Sequence, residues 1–169
     1  GISWSAVGDG LNSDVYALVV DSATNRLYAA GNFTSTGTGA IIFPSNVAYW
    51  DGAVWTPVGS GPSLSPTSLT IYRNQIYVGG YFSWINNIIN SSGDTLNFIC
   101  RWDGNDWQPL GKGLNCSVQA LSVFNNDLIV GGCFTMAGDS VVNLVAAYTD
   151  TTTSVQELNT VKQEITITP

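Results

Sequence analysis

Carboxylates are the side chains of this sequence best suited to catalysis, because its 169 residues include no histidine, the most common general base and transition-metal ligand. Asp51 and Asp103 each precede a glycine, and Asp-Gly is the dipeptide that tight β-hairpins favour. Asn105 and Asp106 add oxygen atoms near Asp103, but the sequence identifies no juxtaposed carboxylate pair of the kind a glycosidase needs. We therefore interpret both Asp-Gly aspartates as turn residues and predict a non-enzymatic protein without a metal or cofactor.

The tryptophans recur with these turns. Trp4, Trp55 and Trp107 are 51 and 52 residues apart, and the residues between them repeat in the same order. WDGAVWTPVGSG, which starts at Trp50, is matched by WDGNDWQPLGKG, which starts at Trp102. Repeated aromatic residues ordinarily pack a repeated fold, and stacking on sugars is the alternative. A period near fifty residues with four short strand-like runs indicates a β-propeller blade.

Each repeat holds four runs rich in β-branched and aromatic residues, separated by turn residues, so we predict an all-β chain with blades of four antiparallel strands. No helical apolar period extends over three turns, and no apolar run approaches the ~20 residues that span a bilayer. Because closed propellers have about 4 to 8 blades, about three blades predict part of a larger or oligomeric assembly. The predicted segments are a strand at 3–8, blades at 15–58, 67–110 and 118–158, and a β-prone tail at 159–169.

The second strand of each repeat is apolar on both faces, in the runs LYAAG, IYVGG and LIVGG that begin at Leu27, Ile76 and Leu128. A strand with one wet face alternates polar and apolar residues, so these strands are expected to be covered on both sides by neighbouring blades. The closing glycines fit positions where another backbone comes close or the strand bends.

Three patterns recur in the order W-x-x-[VL]-G-x-G-L-N, LYVGGxFT and N-x-A-x-W-D-G. The Gly-Gly that ends the second strand and the Trp of the fourth resemble the kelch-type propeller repeat. The fuller pattern is similar to the extracellular repeats of the fungal cortical polarity-marker family and of related surface proteins. The resemblance covers residues 3 to 158 and implies a fold, whereas propellers host many unrelated activities.

The charge content limits the classes of partner. Only 10% of the residues are charged, against a usual ~25%, and the formal net charge is −7 with five basic residues. We therefore predict neither nucleic-acid binding nor membrane insertion. A polar surface of Ser, Thr, Asn and Gly is common in secreted, glycosylated or assembled proteins.

Three N-glycosylation sequons begin at Asn32, Asn90 and Asn115. If the strands of each blade run up and down, all three fall on the face that carries the connections from second to third strands and from one blade to the next. The opposite face, which carries the hairpins, has none. This placement favours N-linked glycans on one face of the protein.

The cysteines are Cys100, Cys116 and Cys133, and they lack the paired short spacing of a zinc site. Cys116 and Cys133 belong to the same blade and the same face, so a disulfide between them is the favoured pairing. Three cysteines nevertheless allow three pairings, and three buried thiols are the alternative. With the sequons and the low charge, a disulfide favours an extracellular, cell-surface or virion-surface location.

The long loop of the second repeat has a character of its own. It contains four large apolar residues with no counterparts in the other repeats, namely Trp84, Ile85, Ile88 and Ile89. Because loops are normally at the surface, we expect a contact patch for another subunit or for a further domain of the same chain. Burial under the loop itself is the alternative.

These observations predict a structural and interaction module of a secreted or surface-exposed glycoprotein, assembled through blade faces, strand edges and loops. A lectin-like carbohydrate-binding propeller is the second hypothesis, and it requires equivalent pockets in successive blades. A glycan-active enzyme is the third.

Overall fold

The structure is a computed structural model that describes residues 1–59, 64–82 and 89–149, and within these ranges it contains thirteen β-strands and no helix. The prediction of an all-β chain with four-stranded antiparallel sheets is confirmed. Sheet I consists, in spatial order, of β1 (Val15–Asp21), β2 (Arg26–Gly31), β3 (Val47–Trp50) and β4 (Trp55–Pro57). Sheet II consists, in the same order, of β5 (Pro66–Tyr72), β6 (Gln75–Gly80), β7 (Ile99–Trp102) and β8 (Trp107–Pro109).

The third repeat departs from this plan within the described ranges. Its sheet III holds three strands, ordered β13 (Val145–Tyr148), β10 (Asp127–Gly132) and β9 (Val118–Phe124). A small ribbon of β11 (Met136–Ala137) and β12 (Ser140–Val141) lies between β10 and β13 in the chain. The expected fourth strand near residue 155 and the tail at 159–169 belong to the part of the chain that is not described.

Successive sheets pack face to face, with β5 in contact with both β1 and β9. Tyr28 and Val47 of sheet I meet Leu69 and Val78 of sheet II in one buried cluster. A second cluster joins sheets II and III, and its members include Tyr77, Ile99, Val118 and Leu128. For sheet II, the apolar character of both faces of the second strand is thereby explained, because β6 contributes Ile76 and Val78 to one cluster and Tyr77 to the other.

The Asp-Gly pairs form the hairpins between third and fourth strands. The Asp51 carboxylate accepts hydrogen bonds from the backbone N–H groups of Ala53 and Val54, both at 2.8 Å. The Asp103 carboxylate accepts the equivalent bonds from Asn105 and Asp106 at 2.9 and 2.8 Å. Both carboxylates are therefore engaged in turn formation.

The glycine that closes each second strand is required by close backbone approach. A Cβ on Gly31, Gly80 or Gly132 would overlap the carbonyl oxygen of the residue just before the partner strand, namely Asp14, Ser65 and Ser117 respectively. The register shifts at this point in all three sheets, which marks a β-bulge. The prediction that another backbone comes close to these glycines is confirmed.

Candidate interaction surfaces and modification sites

Cys116 and Cys133 form a disulfide in the structure, with their Cα atoms 5.5 Å apart. This is the pairing favoured by the sequence, and it ties the connection before β9 to the residue that follows β10. Cys100 is a free and fully buried thiol within the cluster between sheets I and II, and burial raises its pKa well above the usual range. Because disulfides persist in oxidising compartments, the pair is typical of an extracellular-type environment.

Asn115 serves a structural purpose that the sequence did not reveal. Its side-chain oxygen accepts hydrogen bonds from the backbone N–H groups of Thr135 and Met136, at 2.9 and 3.0 Å. Its side-chain amide donates to Thr135 Oγ1 at 3.0 Å. The recurring Gly-x-Gly-Leu-Asn motif thus ends in an asparagine that clamps the loop of the next sheet.

Asn12 makes the same set of hydrogen bonds two repeats earlier. Its side-chain oxygen accepts hydrogen bonds from the backbone N–H groups of Thr34 and Ser35, at 2.9 and 3.1 Å. Its side-chain amide donates to Thr34 Oγ1 at 3.2 Å. The recurrence of Gly-Leu-Asn in the sequence was the available signal for this role.

The other two sequon asparagines differ in their accessibility. Asn32 is exposed, and its side-chain amide donates one hydrogen bond to the Tyr16 hydroxyl at 2.5 Å. Asn90 is buried, and its side-chain oxygen accepts the backbone N–H groups of Ser92 and Asp94 at 3.1 and 2.8 Å. In the folded chain, Asn32 is thus the more accessible of the two to a modifying enzyme.

The apolar loop of the second repeat is described only at its end. Ile89 is exposed and forms an isolated backbone bridge with Thr95. Trp84, Ile85 and Ile88 lie outside the described ranges. The predicted contact patch around Trp84 therefore stays a prediction.

Sheet I leaves apolar side chains uncovered on the face that points away from sheet II. Leu18 is 60% exposed, whereas Leu69, at the equivalent position of sheet II, is 6% exposed because it packs against sheet I. Val20 is exposed next to Leu18 on β1. We call the surface formed by Val15, Leu18 and Val20 the outer face of sheet I.

Sheet III leaves the opposite face uncovered. Val145 is 61% exposed, whereas its equivalents Val47 and Ile99 are 0% and 3% exposed because each faces the following sheet. Phe124, at the end of β9, is exposed as well. The outer face of sheet III is formed by Ala120, Ser122, Phe124, Asp127, Ile129, Gly131, Val145 and Ala147, and Asp127 is its single ionisable residue in the described strands.

The N-terminal segment has the sequence of a fourth strand without the pairing of one. Trp4-Ser5-Ala6-Val7-Gly8 corresponds to Trp55–Gly59 in the repeat, but residues 3–8, expected as a strand, pair with no described strand. Trp4 is 99% exposed, whereas Trp55 is 5% exposed. The physical reason is that the described ranges hold no third strand beside this segment.

The far end of this segment is firmly placed on sheet I. The indole N–H of Trp55 donates a hydrogen bond to the carbonyl oxygen of Val7 at 3.0 Å. A Cβ on Gly8 would overlap the ring of Trp50, just as a Cβ on Gly59 would overlap the ring of Trp102. The segment therefore meets sheet I as β4 and Gly59 meet sheet II.

A cavity of about 680 Å³ lies beside β13, which pairs with β10 on one edge and has no described strand on the other. Its lining includes Leu110 and Gly111, which follow the fourth strand of sheet II, and all four residues of β13. A Cβ on Gly111 would meet nothing within 4 Å, in contrast to the crowded Gly8 and Gly59. The cavity thus occupies the region where a fourth strand of sheet III would lie.

The repeated tryptophans are used mainly in packing within sheets. The ring centroids of Trp50 and Trp55 are 5.7 Å apart, and those of Trp102 and Trp107 are 5.3 Å apart. Trp102 also lines a cleft of about 330 Å³ between sheets I and II, together with Arg26. In the part of the chain that the structure covers, no group of three or more metal-binding side chains occurs, and no helix is long and apolar enough to cross a membrane.

No protein-family model matches the chain. A protein named polarized growth protein L1, from Phoma sp., is 31% identical over 125 residues, which is 72% of this chain and 9% of that protein. The chain thus spans about a tenth of the length of this relative, and the match is consistent with the resemblance to the polarity-marker family.

Proposed function

We propose that the chain is a non-enzymatic structural and interaction module that mediates assembly through sheet faces, strand edges and loops. The observation that carries the proposal is the exposure of Leu18 and Val145, whose equivalents are buried between sheets. Contiguous exposed apolar surface on a folded protein marks contact sites. Both outer faces repeat the chemistry of the two inter-sheet contacts, so each is suited to another β-sheet.

The location that we propose for this module is secreted, on a cell surface or on a virion surface. The Cys116–Cys133 disulfide supports an oxidising compartment. The exposed Asn32 sequon and the 10% charge content support the same proposal.

The proposal is tested by sedimentation velocity over a hundredfold range of protein concentration. We expect the wild-type chain to associate and the variant with Leu18→Lys and Val20→Lys to remain monomeric, because charges would then be desolvated at the contact. Val54→Lys, at an exposed position in the hairpin between β3 and β4, is the matched control. An unchanged wild-type monomer at every concentration, with no effect of the double substitution, would contradict assembly through this face.

Carbohydrate binding is a second candidate, which the cleft beside Trp102 favours. This cleft combines an aromatic side chain with the polar side chains of Arg26, Asn74 and Asp103, as sugar sites do. A glycan array probed with the intact chain tests it, and binding to no glycan would remove the candidate.

A further inference from the structure

We propose that the partner of this module is a second copy of the same chain, docked head to tail. The outer face of sheet I of one copy packs on the outer face of sheet III of the other. Trp4–Ala6 of the first copy then pairs with β13 of the second copy and becomes the fourth strand of sheet III. The inference rests on the proposed assembly function and specifies its partner and geometry.

The contact between sheets II and III supplies the template for the face-to-face part. Gly79 has no side chain, and the space is filled by Val118 of the following sheet. The equivalent of Gly79 in sheet III is Gly131, where a Cβ would meet only Ala120, at 3.7 Å or more. The equivalent of Val118 in sheet I is Val15, which is exposed. Docking therefore brings Val15 of one copy, which is exposed, onto Gly131 of the other, which is half-buried and has no described sheet over it.

The same docking also places a fourth strand beside β13 of sheet III. The N-terminal segment contacts sheet I in the same way that β4 and Gly59 contact sheet II. When sheet I of one copy packs on sheet III of the other, Trp4–Ala6 therefore lies along the unpaired edge of β13. In sheet I, Trp55 pairs with Trp50 and Thr56 with Tyr49. By the same register, Trp4 lies opposite Tyr148 of the other copy and Ser5 lies opposite Ala147.

The cavity beside β13 is suited to the indole of Trp4. Leu110 lines it at the position equivalent to Val7, whose carbonyl oxygen accepts the indole N–H of Trp55. The Leu110 carbonyl oxygen is thus placed to accept the indole N–H of Trp4 from the second copy. Burial of the fully exposed Trp4 ring would stabilise the contact through the largest apolar side chain of the segment.

The chain's own residues 150–169 are the competing occupant, and their sequence suits this edge less well. They contain no tryptophan, whereas Trp55 and Trp107 both begin a fourth strand. Aligning Val155 with these tryptophans places Glu157 at the position of Pro57 and Pro109. The described residues of two copies joined at both ends would also supply six sheets of three or four strands, within the range of about 4 to 8 blades found in closed propellers.

Disulfide trapping tests the strand pairing directly. Paired residues of antiparallel strands have Cβ atoms about 4.5–5.5 Å apart, so Ser5→Cys on one copy and Ala147→Cys on an isotopically labelled copy should cross-link on mixing. Ala146→Cys is the matched control, because Ala146 points to the other face of β13. Mass spectrometry of the mixed-isotope 5–147 peptide under non-reducing conditions is the measurement.

Gly131→Val tests the face contact without disturbing the single copy, where a side chain at this position has space. We expect an unchanged thermal transition of the monomer and association at least about tenfold weaker, which corresponds to about 1.4 kcal/mol, because the added side chain would overpack the contact. The measurement is sedimentation velocity. A second glycine substitution, Gly111→Ala, would not serve as a control, because Gly111 has a positive φ of 55° that a side chain would strain. Val54→Lys again serves as the control that leaves association unchanged.

The outcomes separate this inference from the general proposal. A 5–147 cross-link that the Ala146→Cys control lacks supports the head-to-tail pair. Association that Leu18→Lys with Val20→Lys abolishes, without a 5–147 cross-link and without an effect of Gly131→Val, overturns the pairing and leaves the assembly function standing. A cross-link that forms only after removal of residues 150–169 would assign the β13 edge to the chain's own C-terminal segment and overturn the second copy as its occupant.

Discussion

The indole N–H of Trp55 donates a hydrogen bond to the carbonyl oxygen of Val7 at 3.0 Å, across 48 residues of sequence. The bond fastens the N-terminal segment to the fourth strand of sheet I. Trp107, at the equivalent position of sheet II, is also buried, but its Nε1 has no hydrogen-bond partner among the described residues.

This difference predicts unequal effects of the same substitution. Both Trp55→Phe and Trp107→Phe remove buried ring atoms, but only the first removes a hydrogen bond and leaves the Val7 carbonyl without its indole donor. We expect Trp55→Phe to lower the free energy of unfolding by about 1 kcal/mol more than Trp107→Phe. Urea denaturation of the two variants measures the difference, and equal losses would show that the bond contributes nothing net.

Removal of the disulfide is expected to destabilise the chain substantially. Cys116 and Cys133 are 17 residues apart, and closing a loop of about this size stabilises a fold by about 3 kcal/mol. The variant with Cys116→Ala and Cys133→Ala should therefore unfold at a lower urea concentration than the wild type. Wild type under reducing conditions should show a similar loss, and three free thiols in the native wild-type protein would contradict the disulfide itself.

The turn aspartates predict a dependence of stability on acid pH. The backbone N–H of Asp106 is the main group that lowers the pKa of Asp103. In the same way, the backbone N–H of Val54 is the main group that lowers the pKa of Asp51. A folded pKa below the unfolded value of about 3.9 means that the stabilisation is complete above that pH and is lost as pH falls through the folded pKa.

Asp103→Asn tests this dependence, because it keeps an acceptor oxygen and removes the titration. The expected result is a shallower loss of stability between about pH 5 and the folded pKa than in wild type. Urea midpoints measured across this range provide the comparison. Parallel curves for the two proteins would mean that Asp103 has the same pKa in the folded and unfolded states.

Sequon use is expected to follow accessibility in the folded chain. Asn32 is exposed, whereas Asn90 is buried with its side chain engaged by Ser92 and Asp94. Expression in a glycosylating host should therefore give glycan at Asn32 and little at Asn90, measured by peptide mass spectrometry before and after enzymatic deglycosylation. Thr34→Ala should abolish the Asn32 glycan and serves as the control. Full occupancy of Asn90 would show that modification precedes folding there.

Local chemistry and periodicity in the sequence were sufficient to predict the repeating element. Asp-Gly hairpins, doubly apolar second strands and closing glycines each follow from rules that act within a few residues, and together they predicted an all-β chain with four-stranded antiparallel sheets. The Cys116–Cys133 disulfide could be predicted because the up-and-down strand order puts both residues at the same end of one sheet. The burial of Asn90 and the hydrogen bonds of Asn115 to Thr135 and Met136 could not be predicted, because both depend on loops that meet only after folding.

By itself, then, the sequence determined what one repeat is: four antiparallel strands with apolar side chains on both faces. Only the tertiary structure decided which of these faces are buried against another sheet. Leu69 and Leu18 carry the same side chain at the same position, yet Leu69 is buried and Leu18 is exposed, because sheet I covers one and no described residue covers the other. Burial depends on the neighbours that a side chain finds in space, so equivalent residues differ in exposure when another described sheet lies beside one of them and not beside the other.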